Sequence, residues 1–216
     1  MRIRFDEQLE QLNEEMINMG NMIEASIGNA VKALMKQDEE LAKKTMAGDE
    51  KIDRTERKIE DLCLRLLLQQ QPVAKDLRLI SSALKMITDM ERIGDHAADI
   101  SEITLELSSQ SYIKKLDHIQ QMAKETMYML VQSVDAFVNK DMDKANEVIA
   151  HDDIVDELFG KVKKELINMI HENAEVGEQA SDLLMAAKYF ERIGDHATNI
   201  SEWVIFSITG EHPDDK

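Results

Sequence analysis

Among the places that set two acidic residues at i and i+4 are Asp49/Asp53, Glu91/Asp95, Asp152/Asp156 and Glu191/Asp195. On a helix that spacing leaves the side chains about 40° apart and about 6 Å along the axis, on one face. Like charges so placed cost roughly a few tenths of a kcal/mol. An inward-facing pair therefore needs an offset. Arg92 and Arg192 lie three residues before Asp95 and Asp195, and Arg57 follows Asp53 by four. Asp152/Asp156 has no basic residue one turn away on its own helix. The other offset is a divalent or iron-type cation held by pairs from two neighbouring helices, a known use of helix bundles. Carboxylate oxygens suit Mg, Mn, Ca or Fe, and Zn stays in the set; nothing in the sequence selects among them.

A chain with 43 acidic residues in 216 also produces such pairs by chance on a solvated face. An internal repeat weighs against chance. Residues 91–102 read ERIGDHAADISE and residues 191–202 read ERIGDHATNISE, ten identities in twelve at an offset of 100. Upstream the offset becomes 103, pairing Asp38 with Asp141, Asp49 with Asp152 and Asp53 with Asp156. The change implies three fewer residues in the second copy, near QQQPVAKD at 69–76, where a loop tolerates deletion. All four pairs fall at matching places in the two copies. That duplication favours metal binding over plain surface charge.

Several neighbours belong to the same segments. Gly94 and Gly194 sit between the two acids of their pairs. A mid-helix glycine costs about 1 kcal/mol relative to alanine, so its duplication points to close helix approach. His96 and His196 follow the second acid, about 100° around the helix. They read as supporting or structural groups that donate to carboxylates or carbonyls, not as ligands. Asp99 becomes Asn199 in the second copy, so the two sites are expected to differ in charge and affinity. Cys63 aligns with Leu166 and Trp203 with Ile103, and both read as core.

The elements that must position these residues are helical. In the first copy Leu9, Leu12, Met16, Met19, Ile23, Ile27, Val31 and Leu34 recur every three or four residues. Asp38 and Asp141 are candidate N-caps of the second helix in each copy. That helix carries Ile52, Ile59, Leu62 and Leu66 until Pro72 stops it. The third runs from about Asp76 to Leu107 and bears Leu77, Ile80, Leu84, Ile87, Ile93 and Ile100. The second copy follows with helices near 113–139, 141–171 and 178–209. The expected fold is all-α, two tandem pseudo-symmetric three-helix bundles, with repeats at 1–110 and 111–210 and a disordered tail at 211–216.

Composition removes other classes. Aromatics make up 4% of the chain, with 8 Gly and 2 Pro, too little β and turn chemistry for a sandwich or barrel. A net charge of −17 argues against nucleic acid and against a polybasic grip on lipid. One cysteine, a charged N-terminus and the lack of a spanning apolar run predict a soluble chain of the reducing cytoplasm. No histidine has an acid three residues before it, which disfavours a ferritin-like di-iron oxidase. Gly-rich phosphate loops, G-x-S-x-G and His-Glu-x-x-His are all absent, so no enzyme is expected.

At the duplicated ERIGDHA segments, with DEKID at 49–53 and DDIVD at 152–156, the chain resembles the PhoU family of phosphate-uptake regulators over essentially its whole length. The resemblance implies metal ions or multinuclear clusters on these carboxylates. It also implies a cytoplasmic protein that restrains high-affinity phosphate import when phosphate is plentiful. The implied partners are the ATPase subunit of the phosphate ABC transporter and a phosphate-sensing histidine kinase. Through them the protein would reach the inner face of the membrane, and a homodimer is a candidate assembly. A metal-buffering or metal-sensing bundle without a link to phosphate is the alternative.

Overall fold

A computed structural model describes residues 2–70 and 73–213. Six long helices carry the fold: α1 (Arg2–Lys36), α2 (Glu39–Gln70), α3 (Ala74–Leu107), α4 (Asp117–Asn139), α5 (Met142–Glu172) and α6 (Gly177–Thr209). A single 3₁₀ turn, Ala174–Val176, precedes α6. Pro72, expected to stop the second helix, lies outside the described residues, as do 214–216 of the expected tail. The three fewer residues of the second copy do not shorten the connection, which spans 173–176 against 71–73; they come from the third helix, with 14 residues of α6 before Glu191 and 17 of α3 before Glu91.

The same device joins the first two helices of both copies. Gln37 and Lys140 each turn the chain with a left-handed backbone, φ 53° and 54°. An aspartate then caps the next helix: Asp38 accepts from the Leu41 N–H at 3.0 Å and Asp141 from the Lys144 N–H at 3.0 Å. Each cap satisfies one amide that the helix leaves unpaired.

In the first repeat α1, α2 and α3 pack on one another, and α4, α5 and α6 do so in the second. The two third helices, α3 and α6, lie side by side at the centre, and α1 also touches α4. The apolar stripe of α1 is buried as its spacing predicts, with Leu12, Met16, Met19, Ile23, Ile27 and Leu34 fully enclosed. One continuous core runs through both repeats, and Phe137 and Phe190 are among its largest side chains.

Three expectations change. The fourth helix starts at Asp117, not near 113, because Tyr112 and Ile113 are tied to other elements: Tyr112 Oη donates to the Leu34 carbonyl and the Ile113 N–H to Gln179 Oε1. Leu77 is exposed, one turn into α3 where the helix faces outward. Trp203 is half-buried against Phe206 and His212 rather than enclosed. Cys63 is buried as expected, and burial pushes its thiol up to about 12, which leaves it inert.

Removing either cap tests the joint. Asp38→Ala and Asp141→Ala should each lower unfolding free energy by about 1 kcal/mol, read as a shift in urea midpoint. Unchanged midpoints in both would show that the caps do not hold these helix starts.

Candidate functional site: two carboxylate clusters over bare glycines

The acidic pairs of α2 and α3 meet along one seam, and those of α5 and α6 along another. Ile52 and Ile93 are buried beside the first, which fixes the register at which α2 and α3 touch. At that contact Gly94 has no side chain, and Asp49 lies where one would go. A Cβ on Gly94 would stand 3.2 Å from Asp49 Oδ1 and 3.0 Å from Ile52 Cδ1. The second seam repeats the arrangement more tightly, with a Gly194 Cβ 2.9 Å from Asp152 Oδ1. Both glycines are therefore room for a carboxylate, which answers why the sequence tolerates them in mid-helix.

Those two carboxylate oxygens, Asp49 Oδ1 and Asp152 Oδ1, are buried and have no hydrogen-bond partner. Burial raises the Asp49 carboxyl to about 6, with further repulsion from Asp95, Asp53 and Asp99. Burial likewise raises Asp152 to about 6, followed by repulsion from Asp195, Asp156 and Glu191. Glu91 is raised by burial and by Asp95, and Asp195 by burial and by Glu191. The eight carboxylates selected from the sequence thus fall into two groups of four, one per repeat. Asp49, Asp53, Glu91, Asp95, Asp152 and Glu191 are half-buried, whereas Asp156 and Asp195 reach solvent.

A buried, unpartnered carboxylate oxygen among like charges fits a cation, and an all-oxygen donor set suits a hard one. As placed, no group of three or more His, Cys, Asp or Glu among the described residues closes around an ion position. The donors stand as facing pairs, not as a finished coordination shell.

The basic partners differ between copies. Arg92 pairs with Asp95 at 3.1 Å and approaches Glu91 at 3.7 Å, as its spacing predicts. Neither Arg192 with Asp195 nor Arg57 with Asp53 forms the expected ion pair. In the second cluster Lys188 takes that part, three residues before Glu191 and 2.5 Å from it. Lys188 also lies over the Phe159 ring at 5.5 Å. Under the repeat, Phe159 corresponds to Glu56 and Lys188 to Thr88. Glu56 stands near Glu91 and Asp53 and adds a carboxylate to the first cluster. The second cluster therefore has an aromatic ring where the first has Glu56, and its cation lies on Glu191 rather than on Asp95. Sequence reasoning missed Glu56 and Lys188, although each lies one turn from a selected acid.

His96 and His196 each meet a carboxylate outside the eight. His96 Nδ1 meets Asp99 Oδ2 at 3.2 Å, and His196 Nδ1 meets Asp89 Oδ1 at 2.8 Å. Asn199 does not copy Asp99: its amide donates to Asp89 at 3.1 Å, across the α3–α6 contact. The two imidazoles are 5.5 Å apart, and His96 stacks on Tyr189 at 5.3 Å. Asp89 and Tyr189 are equivalent under the repeat, so one geometry carries a charge on one side and a ring on the other. Burial lowers the His96 pKa, and the Asp99 bond opposes that shift.

The PhoU domain matches twice, at residues 16–104 and 119–204, one match per repeat. The chain belongs to the PhoU family. It is 39% identical to a phosphate-specific transport system accessory protein PhoU homolog of Clostridium acetobutylicum, covering 97% of this chain and 96% of that one. With the Escherichia coli phosphate-specific transport system accessory protein PhoU it shares 32% identity over 96% of this chain and 86% of the relative. The crystal structure of PhoU from Pseudomonas aeruginosa superposes with a TM-score of 0.91 at 32% identity, covering 96% of this chain and all of that one. The phosphate transport system regulatory protein PhoU from Streptococcus pneumoniae gives 0.90 at 28% identity, covering 96% and 98%. The six-helix, twice-repeated architecture is that of PhoU proteins.

The raised carboxyls set a pH dependence. Asp49 and Asp152 move from 3.8 to about 6 on folding, so the folded chain holds their protons more tightly than the unfolded one. Their contribution to stability is full below about pH 4 and is lost as pH rises through about 6. After discounting for partial exposure, Asp49→Asn and Asp152→Asn should each stabilise the metal-free protein by about 1–2 kcal/mol at pH 7. The double variant should lose less stability between pH 4 and pH 7 than the parent in chemical denaturation. Parallel curves for the two proteins would show that these carboxyls titrate normally.

Proposed function

We propose that this PhoU protein is a non-enzymatic regulator of phosphate homeostasis. It restrains high-affinity phosphate uptake and phosphate-starvation signalling through protein contacts. The observation that supports this reading is the match of both repeats to the PhoU domain, together with relatives named as accessory and regulatory proteins of phosphate transport. The partners are the ATPase subunit of the phosphate ABC transporter and a phosphate-sensing histidine kinase. Among the described residues no helix is long and apolar enough to cross a membrane. The protein works in the cytoplasm and reaches the inner membrane face through those partners.

Metal ions on the two carboxylate clusters belong to the same proposal. Asp49, Asp53, Glu91 and Asp95 would hold the first set, and Asp152, Asp156, Glu191 and Asp195 the second. A bound cation supplies the charge that these seams otherwise lack. The protein's own part is to orient the carboxylates and shield them from bulk water. Bare Gly94 and Gly194 admit Asp49 and Asp152 to the helix contact, and the neighbouring acids hold the charge density high. Lys188 sits where it competes for Glu191, so the second cluster is the weaker of the two.

Regulation is tested by deletion and by association. Deleting the gene should derepress phosphate import and starvation genes in phosphate-rich medium. The purified chain should retain the transporter ATPase and the kinase in pull-downs that depend on phosphate supply. Unchanged uptake and unchanged starvation-gene expression after deletion would overturn the regulator reading.

Metal binding is tested on the isolated protein. A ligand bound only by the folded chain stabilises it by about 2.7 kcal/mol at 100 times its Kd. Chelator should lower the melting temperature, and manganese, iron or magnesium should restore it. Glu91→Gln with Asp95→Asn should remove metal in elemental analysis while leaving the metal-free form at least as stable as the metal-free parent. A parent that holds no metal after incubation and washing, with a melting curve indifferent to chelator, would make these carboxylates surface charge.

A further inference from the structure

Two places equivalent under the repeat are built in opposite ways. At the first, the connection between the repeats packs into the end of the bundle and satisfies it. Gln37 Nε2 donates to the Leu107 carbonyl at 2.7 Å and also to that of Gln110. Gln179 accepts from the Ile113 N–H at 2.6 Å and donates to the Ser111 carbonyl at 3.2 Å. At the second place the corresponding residues are Lys140 for Gln37, Gly210 for Gln110 and Leu79 for Gln179. There, where α1, α3, α6 and the end of α4 meet, a cavity of about 410 Å³ remains.

Its lining is cationic in a protein of net charge −17. Arg78 and Lys75 come from the first turns of α3, and Lys140 from the cap of α4. Their equivalents at the filled end are Glu178, Glu175 and Gln37, so the positive charge is particular to this end. Arg78 is half-buried and its Nε is buried without a hydrogen-bond partner. The guanidinium lies on Gly210, whose φ is 85° and where a Cβ would come within 3.4 Å of Arg78 Cδ and 3.5 Å of Nε. Asp6 and Asp76 also line the cavity, yet neither pairs with Lys75, Arg78 or Lys140. Lys75 and Lys140 are exposed beside it and form no ion pair with any described residue.

We propose that this cavity binds a phosphate oxyanion, either free or carried on a small hydroxyl-bearing ester, with Arg78 as its anchor. A guanidinium presents paired N–H donors that match phosphate oxygens. Lys75 and Lys140 add point charges. Val73 makes no side-chain cap bond at the start of α3, leaving first-turn amides that favour an anion. The volume lies within the range of small-molecule sites. Asp6, Asp76 and Ser207 can accept from hydroxyl groups, and Leu9, Leu79 and Ile208 give an apolar wall for an ester's body. None of these residues belongs to the carboxylate clusters, and the inference does not rest on the regulatory reading.

Isothermal titration of the full chain in a phosphate-free, chelator-containing buffer tests this, with inorganic phosphate, ADP and sulfate as probes. Saturable binding of phosphate or ADP is expected, and sulfate should bind more weakly. Arg78→Gln with Lys140→Gln should weaken that binding about tenfold or more. If that variant does not fold, Lys75→Gln with Lys140→Gln, both exposed, should still weaken it several-fold. ADP binding at least as tight as phosphate marks an ester site, and tighter binding of phosphate marks the free anion. The proposal fails if neither probe saturates, if sulfate binds as well, or if the folded variants bind like the parent. Deletion phenotypes and partner pull-downs stand apart from every one of these readings.

Discussion

Two carboxylate oxygens held out of water against bare helix backbone are the constraint around which the molecule is arranged. Asp49 Oδ1 and Asp152 Oδ1 have no hydrogen-bond partner, and each occupies the space that a side chain on Gly94 or Gly194 would need. Burying an ionised carboxylate without a partner is costly, so such a group shifts its titration or takes a counterion. The first response is written into the seams. The carboxyls are raised to about 6, and every neighbouring acid raises them further. Glycine gives up about 1 kcal/mol of helix propensity for this approach, and at Gly94 the space also admits Ile52, whose Cδ1 would lie 3.0 Å from a Cβ. The same costly choice stands in both repeats.

The copies have diverged around that choice rather than at it. The glycine and the buried aspartate are the same in both. What changes is the surrounding charge: Glu56 becomes Phe159, Thr88 becomes Lys188 and Asp99 becomes Asn199. Each change moves the second cluster toward neutrality. Lys188 lies against Glu191 and over the Phe159 ring, so two of the three substitutions act on one spot. The first cluster keeps its negative charge, and Arg92, a largely exposed side chain, is its nearest cation. An exposed arginine in solvent screens weakly, whereas a lysine packed on a ring and a carboxylate is held in place. One repeat is left the more negative and the other the better compensated.

Much of this was legible because helices and repeats write themselves in spacing. The stripe from Leu12 to Leu34 is buried where a period of three to four residues places it, and Asp38 and Asp141 cap as their type and position predict. The eight acids stood out because duplication separated them from the other acids of a strongly charged chain. What stayed illegible depends on contacts between elements. Lys188 reads as a surface lysine until α5 places Phe159 beneath it. Asp89 reads as one more acid until the pairing of α3 with α6 sets it against His196 and Asn199. Tyr112 and Ile113 carry helical spacing, but hydrogen bonds to Leu34 and Gln179 hold them in the connection instead. Tertiary partners override local propensity wherever a chain must cross from one repeat to the other.

The α3–α6 contact then joins the two clusters into one electrostatic body. Asp99 raises the Asp49 carboxyl and bonds His96, and His96 lies 5.5 Å from His196. His196 is bonded to Asp89 and adjoins Asp195 of the second cluster. Charge placed on either seam is therefore felt along a polar path through the pseudo-twofold centre, while the apolar core on both sides keeps the dielectric low. Spatial contact alone does not make a switch; that needs an element with two discrete arrangements whose balance both sites bias. The imidazole pair shows an asymmetry and one arrangement: each ring faces a different partner, an aromatic ring on one side and a carboxylate on the other. A symmetric pair would have had no preferred direction. Divergence at residues 89 and 189 supplies one, and it does so at the central α3–α6 contact between the repeats.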